Sequence, residues 1–413
     1  MRIAVVGAGP CGLLTARRLL EHGYKYDVFE QAKTLGGTWV YTDRIGPDEN
    51  GLQSTCMYEN LVTNVPKELM TCPGFPFSED KLESYINQSE VLQYYDSFAE
   101  AFNLKKYIQF CTRVIKILPC GDKWIVTTQN VCTKHVVSQQ FEYVFICNGR
   151  FSSPFIPKIP GDYLFKGVKM HSCDYKKPVK CFQGKRVLII GGKQSGQDLV
   201  WRILKIAEHV FLSTRESDYI DEHKKLTLKP EVQQITEDSA VFDDETTELI
   251  DIILYCTGYL YVCPFLNNEC GVKAENNGPA PLYKQIINIA HPTMYFIGIP
   301  YVTSGIPVFD LQVRFAVQAM EKKFQLPSKV DMLKEFEDFI SNKSKNNVPN
   351  KHIYRLSTSV ESKAYCQELS EKAGIETVPV VLFNLFDKVR FESSRTSCYR
   401  IVDDNTFIEI DSK

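Results

Sequence analysis

Apolar runs closed by glycine organise this chain. Residues 3–6, Ile-Ala-Val-Val, are continuously apolar, the pattern of a strand covered on both faces. They run into Gly7, after which Leu13, Leu14, Ala16, Leu19 and Leu20 recur at helical spacing. The segment KYDVFE then reads as a second strand ending on Glu30. The same succession returns at 185–200, where VLII enters a glycine turn and a helix, and HVFLSTR follows as a strand ending on Arg215. Between the two units, YIQFCTRVIKIL, KWIVTTQN and CTKHVVS read as a three-stranded meander, its first pair turned at Gly121-Asp122. FEYVFICNG is an apolar strand that stops at Gly149, and DIILYCTGY supplies another. DMLKEFEDFISN and VESKAYCQELSEKAG carry amphipathic helices. This pattern predicts an α/β fold with two dinucleotide-binding, Rossmann-like domains, one inserted into the other. The expected boundaries are 1–159 and 263–413 for the divided domain and 160–262 for the inserted one.

The glycines of the first turn suggest its ligand. Gly7, Gly9 and Gly12 stand in G-x-G-x-x-G register directly after a strand. In that register the first permits a tight turn, the second admits a pyrophosphate, and the third lets helix and strand pack closely. Glu30 stands where a carboxylate accepts adenosine ribose hydroxyls. A second glycine pair, Gly36-Gly37, precedes Trp39 and has no use in a plain nicotinamide site, which favours FAD. The second turn, Gly191-Gly192-Lys193-Gln194-Ser195-Gly196, carries lysine where the middle glycine belongs. A side chain there is expected to hold the backbone away from the pyrophosphate, with the amine as a compensating phosphate contact. Arg215 ends the next strand where Glu30 ended the first. A guanidinium can clamp a 2′-phosphate that a carboxylate would repel, so this site suits NADPH. Arg215 as a solvated surface arginine is the competing reading.

Composition narrows the class further. The 413 residues carry 44% hydrophobic and 12% aromatic positions, ordinary for a two-domain globular protein. A net charge of −2 offers no basic field for nucleic acid. No run of about 18 apolar residues exists to anchor the chain in a bilayer. Fourteen cysteines are scattered without a C-x-x-C pair or a histidine cluster for zinc, which reads as reduced thiols and no metal site. No signal peptide precedes the first strand, so the chain reads as cytoplasmic, secretion requiring a leader removed ahead of Met1. Assembly into a homo-oligomer is left open.

The segment between the two turns is more specific. FKGVKMHSCDYK places Phe165, Gly167, His171 and Tyr175 in the spacing F-x-G-x-x-x-H-x-x-x-Y. This resembles the class B flavin-containing monooxygenases, closest among them to compact insect enzymes that include pyrrolizidine-alkaloid N-oxygenases. YENLVTNVPKELMTCPGFPF, DIILYCTGY and FDLQVRFA look like three further segments of that family, so the resemblance covers roughly residues 1–320. It implies that NADPH reduces FAD, which binds molecular oxygen as a C4a-hydroperoxide and passes one atom to a tertiary amine or a sulfide. It also implies an FAD side of Gly7, Ala8, Gly9, Pro10, Cys11, Gly12, Glu30, Gln31, Gly37, Thr38, Trp39, Thr63, Asn64, Val114 and Gln312. The implied NADPH side is Gly191, Gly192, Ser195, Gly196, Gln197, Asp198, Thr214 and Arg215. His171 is expected to position NADP or to be a core histidine. Asn64 matches the asparagine beside the flavin ring, where its amide could both donate and accept. The competing reading makes it an Asx-turn residue opening NVPKE. Rival activities are a Baeyer–Villiger oxygenation of ketones, an uncoupled NADPH oxidase, and a binding protein on a retained fold. A disulfide reductase would need the missing C-x-x-C.

Overall fold

The computed structural model describes residues 1–78, 80–177, 180–215, 223–275, 278–301, 304–356, 358–390 and 395–410. Among the described residues seven α-helices run in chain order: α1 (Pro10–Glu21), α2 (Gln88–Ala101), α3 (Gln194–Leu204), α4 (Ile306–Met320), α5 (Lys329–Lys345), α6 (Ser359–Ala373) and α7 (Val380–Arg390). Among the described residues no helix is long and apolar enough to cross a membrane. The chain divides into two compact units, one of residues 1–40, 62–150 and 261–413, the other of 41–61 and 151–260. The second unit therefore starts before the expected 160, and it recruits 41–61, a segment that the sequence pattern assigns to the first domain. That segment holds no helix or strand of its own, so no periodicity announces its allegiance.

The first unit is built on strands β1 (Arg2–Val6), β2 (Lys25–Phe29), β3 (Ile108–Gln109), β4 (Thr112–Cys120), β5 (Lys123–Asn130), β6 (Val136–Phe141) and β7 (Tyr143–Ile146). β1 lies between β2 and β7, all parallel, and the strand Met294–Phe296 continues the sheet beside β7. β4, β5 and β6 form the expected antiparallel meander as a separate sheet. One predicted strand is broken, however. YIQFCTRVIKIL splits at Cys111, which takes a left-handed backbone with φ of 53°. The two residues of β3 before the break pair in parallel with β2, and only Thr112 onward joins the meander. CTKHVVS likewise forms a turn over 131–135 before β6 begins.

The second unit carries its own parallel sheet. Arg186–Ile190 lies between His209–Ser213 and Ile252–Tyr255, flanked outside by Leu226–Lys229 and Val168–His171. Its apolar strands bury Val187, Ile189, Val210 and Leu254 under α3, whose Leu199, Val200 and Ile203 face them. Each unit thus presents a parallel sheet whose central strand delivers a glycine turn to a helix.

Candidate active site

The two glycine turns share one backbone. Gly7 and Gly191 take φ of 100° and 107°, a region open only to glycine at low cost. A Cβ on Gly12 would lie 1.9 Å from the Gly7 carbonyl oxygen, and one on Gly196 would lie 1.9 Å from that of Gly191. The middle position differs in residue but not in shape. Gly9 has φ −75° and ψ −175°, while Lys193 has φ −84° and ψ −168°. Lys193 thus has an ordinary negative φ and an exposed side chain, and the turn keeps the backbone that glycine gives the first one.

Both helices that leave these turns begin uncapped. α1, with Pro10 at its start, and α3 have no side-chain hydrogen bond at the N-cap. Ser328 and Thr358, in contrast, cap α5 and α6 with side-chain oxygens, and α2 opens with a capping box of Asn87 and Glu90, while α4 also begins uncapped, at Gly305. First-turn N–H groups without a partner favour an anion, and a pyrophosphate meets that need. On α1 these belong to residues such as Cys11, itself half-buried, and on α3 to Ser195, which is exposed. Gln197 donates its N–H back to Lys193, as the helix requires.

Around the first turn, Glu30 is buried and accepts the Ala8 N–H at 2.7 Å and the Ala32 N–H at 2.8 Å. Burial raises its pKa, and the N–H groups of Ala32, Ala8 and Gln31 oppose that rise. Glu30 therefore holds the turn in place with both carboxylate oxygens. The second glycine pair has a local task as well. Gly36 donates to the Ala8 carbonyl, and a Cβ on Gly37 would lie 3.0 Å from the Gly9 Cα, so only bare backbone can pass over the turn. Thr38 and the half-buried Trp39 complete the short helical turn that follows.

Other expected FAD residues sit one layer back. Val114 is in the core with Val6 and Phe29. Gln312 is fully buried, accepting from the Gly298 N–H at 2.9 Å and donating to the Tyr365 hydroxyl at 3.0 Å. Thr63 is buried, and its N–H and hydroxyl both pair with the backbone of Ile86. Asn64, next to it, is exposed, with no hydrogen bond to any described residue. The Asx-turn alternative fails because Pro66, two residues on, has no N–H to donate.

In the second unit, Thr214 packs against Gly192, where a Cβ would meet its hydroxyl oxygen at 2.3 Å. Arg215 is 73% exposed and pairs in two-pronged fashion with Glu231. Asp198 accepts from the Tyr58 hydroxyl and lies 3.5 Å from Arg202, so its carboxylate serves packing of 41–61 onto α3. Phe165 is buried, and Gly167 has no room for a Cβ between its ring and the Asp251 carbonyl. His171 is 2% exposed. Its Nδ1 accepts from the Cys173 N–H, so Nε2 donates to the Gly258 carbonyl, and burial lowers its pKa. Tyr175 is buried, edge-on to Tyr58.

A group at the end of β7 escapes the sequence reading. Asn148 accepts from the Tyr261 hydroxyl at 2.7 Å and donates to the Val262 carbonyl. Arg150 donates to the Ile299 carbonyl and stacks its guanidinium 3.9 Å from the centre of the Tyr301 ring. The end of β7 abuts the first turn, since a Gly7 Cβ would lie 2.6 Å from the Cys147 oxygen. Asn-Gly after a strand reads as a turn signal, which hides the asparagine's polar role.

Two paired nucleotide turns call for comparison with known flavoproteins. The flavin-binding monooxygenase-like family pattern matches residues 1–225 and 223–396. The chain belongs to that family. As a flavin-binding monooxygenase it uses FAD and NADPH, with molecular oxygen and a soft nitrogen or sulfur nucleophile as co-substrates. It is 33% identical to senecionine N-oxygenase of Tyria jacobaeae, over 98% of this chain and 91% of that one. The S-allyl-L-cysteine S-oxygenase structure from Allium sativum superposes with a TM-score of 0.87 at 27% identity, covering 94% of this monooxygenase and 92% of that chain. An open cyclohexanone monooxygenase structure has a TM-score of 0.59 at 15% identity, over 89% and 98% of the two chains, a likeness of fold alone.

Proposed function

We propose that the Gly7–Gly12 turn holds FAD, that the Gly191–Gly196 turn holds NADPH, and that the substrate is a tertiary amine of pyrrolizidine type, oxygenated to its N-oxide. The observation that carries the reading is the pair of turns with one backbone, served by strand ends of opposite charge, Glu30 and Arg215. The senecionine N-oxygenase likeness supports the amine, and the S-oxygenase likeness makes sulfides the second class to examine.

FAD reduced by NADPH supplies one activated oxygen atom to the substrate's lone pair. The chain's own groups do the rest. The first-turn N–H groups of α1 and α3 take the pyrophosphates, and the macrodipole of each helix adds to the attraction. Glu30 accepts from the adenosine ribose of FAD. Arg215 turns from Glu231 to the 2′-phosphate of NADPH, a dianion that outcompetes one exposed carboxylate, while the Lys193 ammonium lies beside the same turn. Asn64 brings an amide to the reacting centre, donating to an oxygen while accepting from a ring N–H.

The decisive experiment incubates FAD-loaded protein with NADPH and a panel of pyrrolizidine alkaloids, simple tertiary amines, sulfides and cyclic ketones, with products identified by mass spectrometry. N-oxide formed in step with NADPH consumed is the expected result. Ester from ketone, or hydrogen peroxide alone, would overturn the reading.

A further inference from the structure

The break in the strand at Cys111 brings two thiols together. Cys111 holds a left-handed backbone, uncommon for any residue with a Cβ. Its N–H donates to the Ala32 carbonyl at 3.0 Å and its own carbonyl accepts the Val131 N–H at 2.8 Å. Thr112 opposes Asn130 in the β4–β5 ladder, so Cys111 faces Val131, and Cys132 is the next residue. The Asn130 side chain accepts from both the Cys132 and Thr133 N–H groups, fixing the turn that presents Cys132. The Cys132 thiol is close enough to raise the Cys111 pKa; Cys132 is exposed and Cys111 half-buried. Opposed residues on antiparallel strands lie about 4.5–5.5 Å apart, and one further step of about 3.3 Å along the strand puts the Cys132 Cα about 5.5–6.5 Å from that of Cys111, inside the roughly 4.4–6.8 Å that a disulfide spans.

We propose that Cys111 and Cys132 are an oxidisable dithiol, which a hydroperoxide converts to a disulfide that staples the β5–β6 turn to the segment beside Glu30. The exposed Cys132 thiol, as its thiolate, attacks the peroxide O–O bond. It becomes a sulfenic acid, and the outer oxygen leaves as water. Cys111 then attacks that sulfur, a second water departs with its proton, and the S–S bond forms. Two thiols and one hydrogen peroxide thus give one disulfide and two waters. Burial and the Cys132 thiol raise the Cys111 pKa while the Lys33 ammonium lowers it, which suits Cys111 to the second step rather than the first. The staple closes on the cofactor side, because Cys111 bonds Ala32 and Thr112 bonds the Glu30 carbonyl at 2.8 Å. This chemistry does not depend on which substrate the enzyme oxygenates.

The test exposes FAD-loaded full-length protein to a small excess of hydrogen peroxide, then maps peptides without reduction. One cross-linked pair containing Cys111 and Cys132, lighter by two hydrogens and restored by dithiothreitol, is expected. Cys120, exposed at the far end of β4, is the internal control and should instead give a sulfenic acid trapped by dimedone. In Cys111→Ser the trapped sulfenic acid should appear on Cys132 with no cross-link. Wild-type protein that shows sulfenic acid on Cys132 without a cross-link, a cross-link from Cys132 to another cysteine, or two unchanged thiols would overturn the proposal.

Discussion

Arg215 lies two residues past the strand His209–Ser213 that the sequence extends to it, and its partner was not legible, because Glu231 lies beyond the next strand and no local pattern joins them. The pairing sharpens the cofactor prediction. Removing one charged phosphate contact costs about 1.5–3 kcal/mol, so Arg215→Ala should raise the NADPH KM by roughly one to two decades and leave NADH nearly unchanged. Glu231→Gln should act in the opposite direction, lowering the NADPH KM severalfold, the scale of an exposed ion pair at about 0.2–1 kcal/mol. Steady-state kinetics with both cofactors decide this, and equal effects on NADPH and NADH would show that Arg215 does not read the phosphate. Asn64 has no structural duty that its exposed amide performs in the described structure. Asn64→Ala should therefore bind FAD and consume NADPH, yet release the oxygen mainly as hydrogen peroxide. A peroxide assay beside product quantification checks it: full coupling in the variant would remove Asn64 from the reaction.

At the scale of elements, the glycine turns were legible in the sequence almost completely, because glycines in a fixed register after a strand have few uses besides a tight turn. At Lys193 residue identity did not reveal that the backbone angles match those of Gly9. Consequences follow for each glycine separately. Gly12→Ala and Gly196→Ala place a methyl 1.9 Å from a carbonyl oxygen, and overpacking of about 1–3 kcal/mol or more should lower the melting temperature even without cofactor. Gly9→Ala meets only the Gly37 backbone, its Cα at 3.5 Å and its nitrogen at 3.9 Å, so the apo melting temperature should hold while FAD affinity falls. Differential scanning with and without FAD separates the two outcomes. The fingerprint histidine was legible, but its duty was not, since Gly258 is distant in sequence. Its buried neutral ring has a pKa below the ordinary 6.5. The unfolded chain then binds a proton that the folded one refuses, so this contribution to stability is present above pH 6.5 and is lost as pH falls through the folded value. His171→Gln should show a shallower fall in melting temperature across that window than wild type.

At the scale of the molecule, the two-unit plan was visible in the repeat of strand, turn and helix, whereas the membership of 41–61 was not. Its attachment depends on contacts far apart in sequence. Tyr58 packs edge-on to Tyr175, and the buried Lys176 ammonium donates to the carbonyls of Thr55 and Met57. Residues 151–260 expressed alone should consequently be insoluble or unfolded by circular dichroism, because Lys176 would be buried without acceptors. Supplying 41–61 through a flexible linker should restore a cooperative transition.

That attachment also sets an order of events during synthesis. The segment 41–61 leaves the ribosome long before Tyr175 and Lys176 exist, a wait on the order of ten seconds at ordinary elongation rates. Meanwhile β1, β2 and β7 cannot gain their last parallel neighbour until Met294–Phe296 has been made. The inserted unit has all its residues once Leu260 emerges. The half of the enzyme that begins later in the chain is thus the first that can close, and the half that begins at residue 1 must stay open until the end.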